Sequence, residues 1–275
     1  MMENENVNVI EVKNLKFVYN DGTVALENIN FDIKKGQFIA LIGQNGCGKT
    51  TLSKCLNGIL KLTLGSIKVN GINVTKKGII KDLVRNIGYV FQNPDHQLFN
   101  SKVYDEIAYA LHNIGLADDE IDMRVKAAAQ IAGVSEKIFD EQPCMLVKGL
   151  RQRVAIASIL SLKPQVIIVD EPTTGQDHRQ SIEIMKFLKK LNEQGHTIII
   201  ITHEMDIVAQ YAQRILVMKK GAIYMDDTPR EIFSQPEKLK EGFVKPPLVT
   251  RLAQLLDSSG NHNDVLNIEE LKELL

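Results

Sequence analysis

Apolar residues fall into two kinds of run along this chain. Phe38-Ile-Ala-Leu-Ile42, Val166-Ile-Ile-Val169 and Ile198-Ile-Ile-Ile201 are apolar without interruption. Runs of this length between Gly, Pro or polar positions predict strands buried on both faces, as in a parallel sheet. Elsewhere apolar and polar positions alternate. Val9-Ile-Glu-Val12, Leu15-Lys-Phe-Val-Tyr19 and Ala25-Leu-Glu-Asn-Ile-Asn-Phe-Asp-Ile33, with a turn at Asn20-Asp-Gly22 and a break at Lys35-Gly36, predict a small antiparallel layer ahead of the first buried strand. Gly65 to Val69 with the Asn70-Gly71 turn predicts a hairpin, and Ile87 to Phe91 a strand that Pro94 stops. Arg214 to Met218 and Ala222 to Met225 predict a hairpin across Lys220-Gly221.

From Val103 to about Gly133 the period becomes helical, with breaks at Gly115 and Gly133, which predicts a helical insertion between two portions of an α/β core. Arg179 to Gln194 is amphipathic, Met205 to Gln213 is helical in pattern, and Thr228 to Phe233 starts a helix with Pro in its first turn. The tail differs. Beyond Pro246-Pro247, Leu248, Leu252, Leu255 and Leu256 share one helical face, and Ser258 to Asn263 has the composition of a flexible linker. A last helix from Asn267, with Glu270 closing a capping box, carries Ile268, Leu271, Leu274 and Leu275. These two helices are either a packed appendage or a partner surface.

The chain has 275 residues, 33 Lys plus Arg against 34 Asp plus Glu, and 24% charged residues. That balance gives no electrostatic reason to expect nucleic acid as the main partner. The run Met1 to Asn6 is polar and acidic, without the n- and h-regions of a secretory signal, so export is not expected. No apolar run approaches the roughly 20 residues of a membrane span, so membrane association would come through a partner. Cys47, Cys55 and Cys144 are three, widely spaced and without a C-x-x-C, which fits a reducing cytoplasm better than a disulfide framework or a zinc site.

Candidate chemistry starts at Gly43-Gln-Asn-Gly-Cys-Gly-Lys-Thr50, which fits G-x-x-x-x-G-K-[ST] between a predicted strand and a predicted helix. Glycines let the backbone wrap a phosphate, and Lys49 and Thr50 are placed for the β- and γ-phosphates and for Mg²⁺. A tight turn alone would not need the Lys-Thr pair at that offset. Cys47 lies inside the loop, so a thiol reagent is expected to block nucleotide binding. Tyr19, beside a turn, either stacks on a base or is an ordinary strand aromatic. Asp170 and Glu171 end a buried strand, where ligands bind in open α/β sheets. Asp170 would hold Mg²⁺, and Glu171 would orient or deprotonate the attacking water. Gln92 sits at a strand mouth, where it reaches a metal or water or is a surface loop residue, and His203 ends the strand after Asp170-Glu171.

With the loop, Gln92, Asp170-Glu171 and His203 in that order, residues 8 to about 235 resemble the ATP-binding subunits of ATP-binding-cassette (ABC) transporters. Leu146-Val-Lys-Gly-Leu-Arg-Gln-Arg-Val-Ala-Ile-Ala157 aligns with that family's L-S-G-G-Q signature and the segment after it, and Thr174-Gly-Gln-Asp177 resembles its D-loop. Phe91-Gln-Asn-Pro-Asp-His-Gln-Leu-Phe99 and the Pro-Pro-containing extension resemble the energy-coupling factor type, whose ATPase pair drives uptake of vitamins or of cobalt and nickel ions. The resemblance implies an α/β P-loop NTPase fold: an ABC ATPase core over 8–240 with an antiparallel β layer, a helical subdomain at about 98–158, and a C-terminal helical extension over 241–275. It implies ATP contacts at Tyr19, Gly43, Gln44, Asn45, Gly46, Cys47, Gly48, Lys49, Thr50, Thr51 and Gln92. Mg²⁺ falls to Thr50, Gln92 and Asp170, catalysis to Glu171, His203 and Lys49, and the partner-facing D-loop position to Asp177. The partners implied are a second ATPase chain, a transmembrane coupling subunit and a substrate-binding membrane subunit at the cytoplasmic face of the cell membrane.

The departure is in the signature, Leu146, Val147, Lys148, Gly149 and Leu150, which in the family touches ATP held by the other chain. Val147 stands for its Ser, Lys148 for its first Gly and Leu150 for its Gln. Losing one positioned donor costs on the order of 3 kcal/mol, about a hundredfold in rate, and Lys148 restores charge but not that geometry. An asymmetric pair follows, with hydrolysis concentrated at this chain's own loop and a heterodimer favoured. A non-transport ABC ATPase acting on nucleic acid or ribosomes is the alternative. A phosphate-loop GTPase or kinase would leave residues 146–157 unexplained and lacks N-K-x-D.

Overall fold

The computed structural model describes residues 7–256 and 264–273; the Met1 to Asn6 run, the Ser258 to Asn263 linker, Leu274 and Leu275 lie outside them. In chain order the elements are β1 (Asn8–Val18), β2 (Val24–Lys34), β3 (Phe38–Gly43), α1 (Lys49–Leu56), β4 (Leu64–Val69), β5 (Ile72–Asn73), α2 (Ile80–Val84) and β6 (Ile87–Val90). Three longer helices follow, α3 (Val103–Ile114), α4 (Asp118–Ala132) and α5 (Lys148–Leu160). Then come β7 (Val166–Asp170), α6 (His178–Glu193), β8 (Thr197–Ile201), α7 (Met205–Tyr211), β9 (Arg214–Lys219), β10 (Ala222–Asp227), α8 (Pro229–Phe233) and α9 (Pro236–Glu241). The extension carries α10 (Leu248–Leu256) and α11 (Ile268–Lys272).

Two sheets form, one antiparallel in the order β2-β1-β4-β5 and one of six strands in the order β10-β9-β3-β8-β7-β6. In the second, β9, β3, β8, β7 and β6 run parallel and β10 closes the edge antiparallel. The uninterrupted apolar runs are explained by their two faces. Phe38, Ala40 and Ile42 of β3, with Ile198 and Ile200 of β8, enter the core under the helices. Ile39 and Leu41, with Ile199 and Ile201, enter the core shared with the antiparallel sheet and α1. A period of two between two dry layers leaves no polar position to alternate with.

The two predicted strands before Tyr19 are one, β1, because Asn14 takes a left-handed conformation (φ 47°) and the register to β2 shifts between Val12 and Leu15. Such a bulge lets a strand continue past a local irregularity. Gly115 and Gly133 end α3 and α4 in left-handed C-cap positions, as the pattern predicts. The short α2 and α9 carry no periodic signal long enough to read.

Of the two readings of the tail, the leucine face is the uncovered one. Leu248, Leu252, Leu255 and Leu256 are exposed, and α10 instead buries Thr250 and Ala253 against Val265 and Leu271. The extension is fastened to the body by polar ties. Arg230 pairs with Asp264 (3.0 Å) and Glu270 (2.8 Å), and the Gln254 amide donates to the Phe233 carbonyl (3.1 Å). Asn267 caps α11 through the Glu270 amide, while the Glu270 carboxylate accepts from the Leu266 amide rather than closing back on the Asn267 backbone.

Strand β6 and helix α5 pack closely. A Cβ on Gly88 would lie 2.1 Å from Ile159 Cγ2 of α5. Overpacking of this kind costs about 1–3 kcal/mol. Gly88→Ala is expected to lower the urea midpoint accordingly at an unchanged slope; a wild-type midpoint would show that α5 yields freely.

Candidate functional site

The turn from β3 into α1 owes its shape to missing side chains. Gly43 (φ 144°) runs so close to β9 that a Cβ would lie 2.3 Å from the Met218 carbonyl oxygen. Gly48 (φ 107°) stands against Ala25 and Leu26 of β2, whose nearest atoms would be 2.9 Å from a Cβ. Gly46 is in open space but also has positive φ (78°). No side chain could occupy the first two positions without moving a sheet. Gly48 is the N-cap of α1 and supplies no side-chain cap, so the first amides of the helix remain as donors facing the mouth of the loop. Lys49, itself buried, donates to the carbonyl oxygens of Gly43 (2.7 Å) and Gln44 (3.0 Å).

This loop opens on a cavity of about 760 Å³. Of the predicted contacts, Tyr19, Asn45, Gly46, Gly48, Lys49, Thr50, Thr51, Gln92, Asp170 and Glu171 line it; Gly43, Gln44 and Cys47 form the loop behind it. Tyr19 meets Thr51 through a hydroxyl pair (2.8 Å) and rests edge-on against Phe17. Cys47 is buried beneath the loop, and burial pushes its thiol above the ordinary value. Thr23, Val24, Ala25 and Lys220 also line the cavity. They carry no motif and are brought in by the two hairpin turns of the neighbouring sheets.

Thr50 Oγ1 donates to Asp170 Oδ2 (3.3 Å), joining helix α1 to the end of β7. The same carboxylate oxygen accepts from the buried Tyr89 hydroxyl (2.7 Å) of β6. Burial, then the Asp170 charge, push the Tyr89 phenol up, so it stays a donor. Within the predicted strand Ile87 to Phe91 no motif singles out Tyr89. A hydroxyl, a carboxylate and the Gln92 amide share this wall, a set of hard oxygen donors suited to Mg²⁺. Among the described residues no group of three His, Cys, Asp or Glu forms a metal cluster of its own.

Glu171 follows β7 in a left-handed conformation (φ 50°), its amide donating to Ile201 (2.8 Å). Holding a non-glycine residue there costs about 1–2 kcal/mol. The turn aims its carboxylate at the His203 imidazole, with Nδ1 to Oε1 at 3.0 Å, and Thr174 Oγ1 donates to Oε2 (3.2 Å). Since β7 and β8 are neighbours in register, with Asp170 opposite Ile201, the two exits emerge side by side. His203 itself lines a second cavity with residues 173–176 and Glu204.

The 146–150 segment lies elsewhere, at the start of α5, and none of it lines the phosphate cavity. Leu146 is buried, and Val147, at the N-cap without a cap bond, is 73% exposed. Lys148 does not project as a free charge: its ammonium donates to the Thr174 carbonyl (3.0 Å). Asp177 caps α6 by accepting from the Gln180 amide (2.8 Å). Behind the segment, Arg151 pairs with Asp95 (2.8 Å), and Gln97 donates to the Ala155 carbonyl (3.0 Å). These ties join the Gln92 loop to α5.

The model of the ABC transporter family matches residues 26–174. An ABC transporter ATP-binding protein of Caldanaerobacter subterraneus subsp. tengcongensis is 45% identical over 263 residues, 96% of this chain and 45% of that protein. The energy-coupling factor transporter ATP-binding protein EcfA2 of the same organism is 41% identical over 272 residues, 96% of this chain and 95% of that one. The chain thus spans about half of the first relative and nearly all of the second. Among solved structures, cbiO1 of Clostridium perfringens, part of the ABC transporter complex cbiONQ, superposes with a TM-score of 0.76 at 39% identity, covering 90% of this chain and 95% of that one.

Tyr89→Phe leaves Asp170 with one donor fewer in a buried wall, a loss of about 1.5–3 kcal/mol for a hydrogen bond to a charged group. The urea midpoint at pH 7 is expected to fall to match. Because unfolded tyrosine ionises near pH 10 while folded Tyr89 stays protonated above that, wild-type stability should decline as pH rises past 10. Tyr89→Phe should flatten that decline; an unchanged slope would remove Tyr89 from the account.

Proposed function

Because this chain belongs to the ABC transporter family of ATP-binding proteins, we propose that it is the ATP-hydrolysing subunit of an energy-coupling factor type importer, driving uptake of a vitamin or transition-metal ion through membrane partners. The observation that carries the reading is the rim of one cavity, where the loop amides and Lys49, the Thr50–Asp170 pair and Glu171 converge. The likeness to EcfA2 and to cbiO1 supports the importer type.

ATP lies with its phosphates in the loop, where α1 and Lys49 offset their charge, and with its base toward Tyr19. Thr50, Asp170 and Gln92 would hold Mg²⁺, whose charge would offset that of the phosphate oxygens. Glu171 accepts the proton of the attacking water. His203, fixed against Glu171, is the proposed γ-phosphate contact. These side chains orient and stabilise charge, which is most of what phosphoryl transfer requires.

The site is half of a composite one, because the 146–150 segment of the same chain lies away from its own loop. A second ATPase chain supplies an intact signature, and the relative of twice this length has room for such a pair. Val147 offers no donor in return, which favours a heterodimer. Among the described residues no helix is long and apolar enough to cross a membrane. A cavity of about 560 Å³ between α2, β6 and α3, with apolar lining from Ile80, Val84, Phe91, Tyr109 and Ile114, is the seat proposed for a helix of the membrane subunit. It adjoins the Gln92 loop, so docking and the phosphate site share a segment.

Glu171→Gln, measured in the membrane assembly captured by tagging the chain, is expected to cut ATP turnover at least about a hundredfold while nucleotide binding persists. Turnover near wild type would sink the assignment. For the isolated chain, Val147→Ser with Leu150→Gln, Lys148 kept, is expected to raise ATPase by roughly a hundredfold, the worth of a restored donor. Equal rates would argue against the asymmetric pair.

A further inference from the structure

We propose that Lys148 is a positioning residue for this chain's own Glu171, holding the turn after β7 through the Thr174 carbonyl. The inference rests on the role given to Glu171 above. The turn of residues 172–176 has little regular structure, only the bonds from Thr174 N to Glu171 O (3.3 Å) and from Gln176 N to Thr173 O (3.1 Å). Its shape is set from outside. Gln152 Nε2 donates to the Pro172 carbonyl (2.7 Å), the Thr173 hydroxyl bonds the Glu204 carboxylate, and Lys148 Nζ donates to the Thr174 carbonyl.

Lys148 and Gln152 are one helical turn apart on α5, so a single face of that helix grips two successive parts of the turn. The residue so gripped, Thr174, is the one whose hydroxyl donates to Glu171 Oε2. Gly175 makes the seat: a Cβ there would lie 2.2 Å from Lys148 Nζ, so the ammonium fills the space this glycine leaves open. The chain is therefore continuous from Lys148 through Thr174 to the carboxylate. The family's glycine at this position has no side chain to make that bond. The substitution that removes a partner-facing contact thus adds one that serves the local site.

Two measurements test this. Amide hydrogen exchange over residues 173–176 in the isolated full chain is expected to quicken several-fold in Lys148→Met and to match wild type in Lys148→Arg. In the captured assembly, Lys148→Met is expected to lower kcat about threefold to tenfold with KM for ATP unmoved, the scale of one lost charge-assisted hydrogen bond at an exposed site. Lys148→Arg should recover most of that loss, and in a Glu171→Gln background Lys148→Met should have no further effect. Unchanged exchange overturns the tether whatever the activity. Quicker exchange with unchanged kcat, or a raised KM with kcat kept, overturns the positioning role, the latter by pointing to nucleotide held by the partner. A Glu171→Gln assembly that hydrolyses ATP like wild type overturns the role of Glu171 and with it this one, while the exchange result still reports the contact itself.

Discussion

Everything at the phosphate cavity depends on the register of three buried parallel strands. With β3, β8 and β7 side by side, Leu41 lies opposite Ile201 and Ile201 opposite Asp170. Three chain exits therefore open on one edge: the glycine loop from β3, Asp170-Glu171 from β7 and His203 from β8. A slip of one residue would exchange the faces of every apolar side chain in the strand, moving each from one dry core to the other. The observed ladders set the register, and the register brings the acids to the loop. No interaction among the functional groups themselves is strong enough to do this; Thr50 and Asp170 are joined by a single bond of 3.3 Å.

The same packing decides which residues can be polar at the edge. Asp170 is still buried, and its Oδ2 is served by the Tyr89 hydroxyl from the next strand. A carboxylate in that position without donors would cost several kcal/mol, so the neighbouring strand has to deliver one. Glu171, one residue on, escapes the sheet through a left-handed turn that its amide bond to Ile201 holds. The acids of one dipeptide thus face different surroundings, one inside the phosphate wall and the other between two cavities.

Most of the fold and the inner wall of the site were legible in the sequence because their signals are local. An apolar run, a glycine at a fixed offset or an acid pair after a strand each implies its own geometry. Tyr89, Glu204 and Gln152 were not legible, since each matters only through a partner on another element and none stands in a motif of its own. In the tail the pattern left two outcomes open. Leu248, Leu252, Leu255 and Leu256 form a clear helical stripe, and Thr250 and Ala253 are the positions of α10 that are buried, Ala253 with Val265 and Leu271. Periodicity identifies a face but not which face is covered.

The altered signature separates two tasks that one segment usually performs together. As an N-cap, Val147 offers α5 nothing, and removal of a Ser cap costs about 0.5–2 kcal/mol in helix stability. Yet the start of α5 is not loose. Arg151 donates to the Leu146 carbonyl (2.6 Å), Gln152 to Pro172 (2.7 Å) and Lys148 to Thr174 (3.0 Å). All three bonds stay within the chain, and two of them end on the turn beside Glu171. Side-chain anchoring has replaced capping, so the helix keeps its place while presenting an exposed valine where a donor to another chain would stand. An altered signature is therefore compatible with an intact fold, and the asymmetry of the proposed pair would need only these few positions.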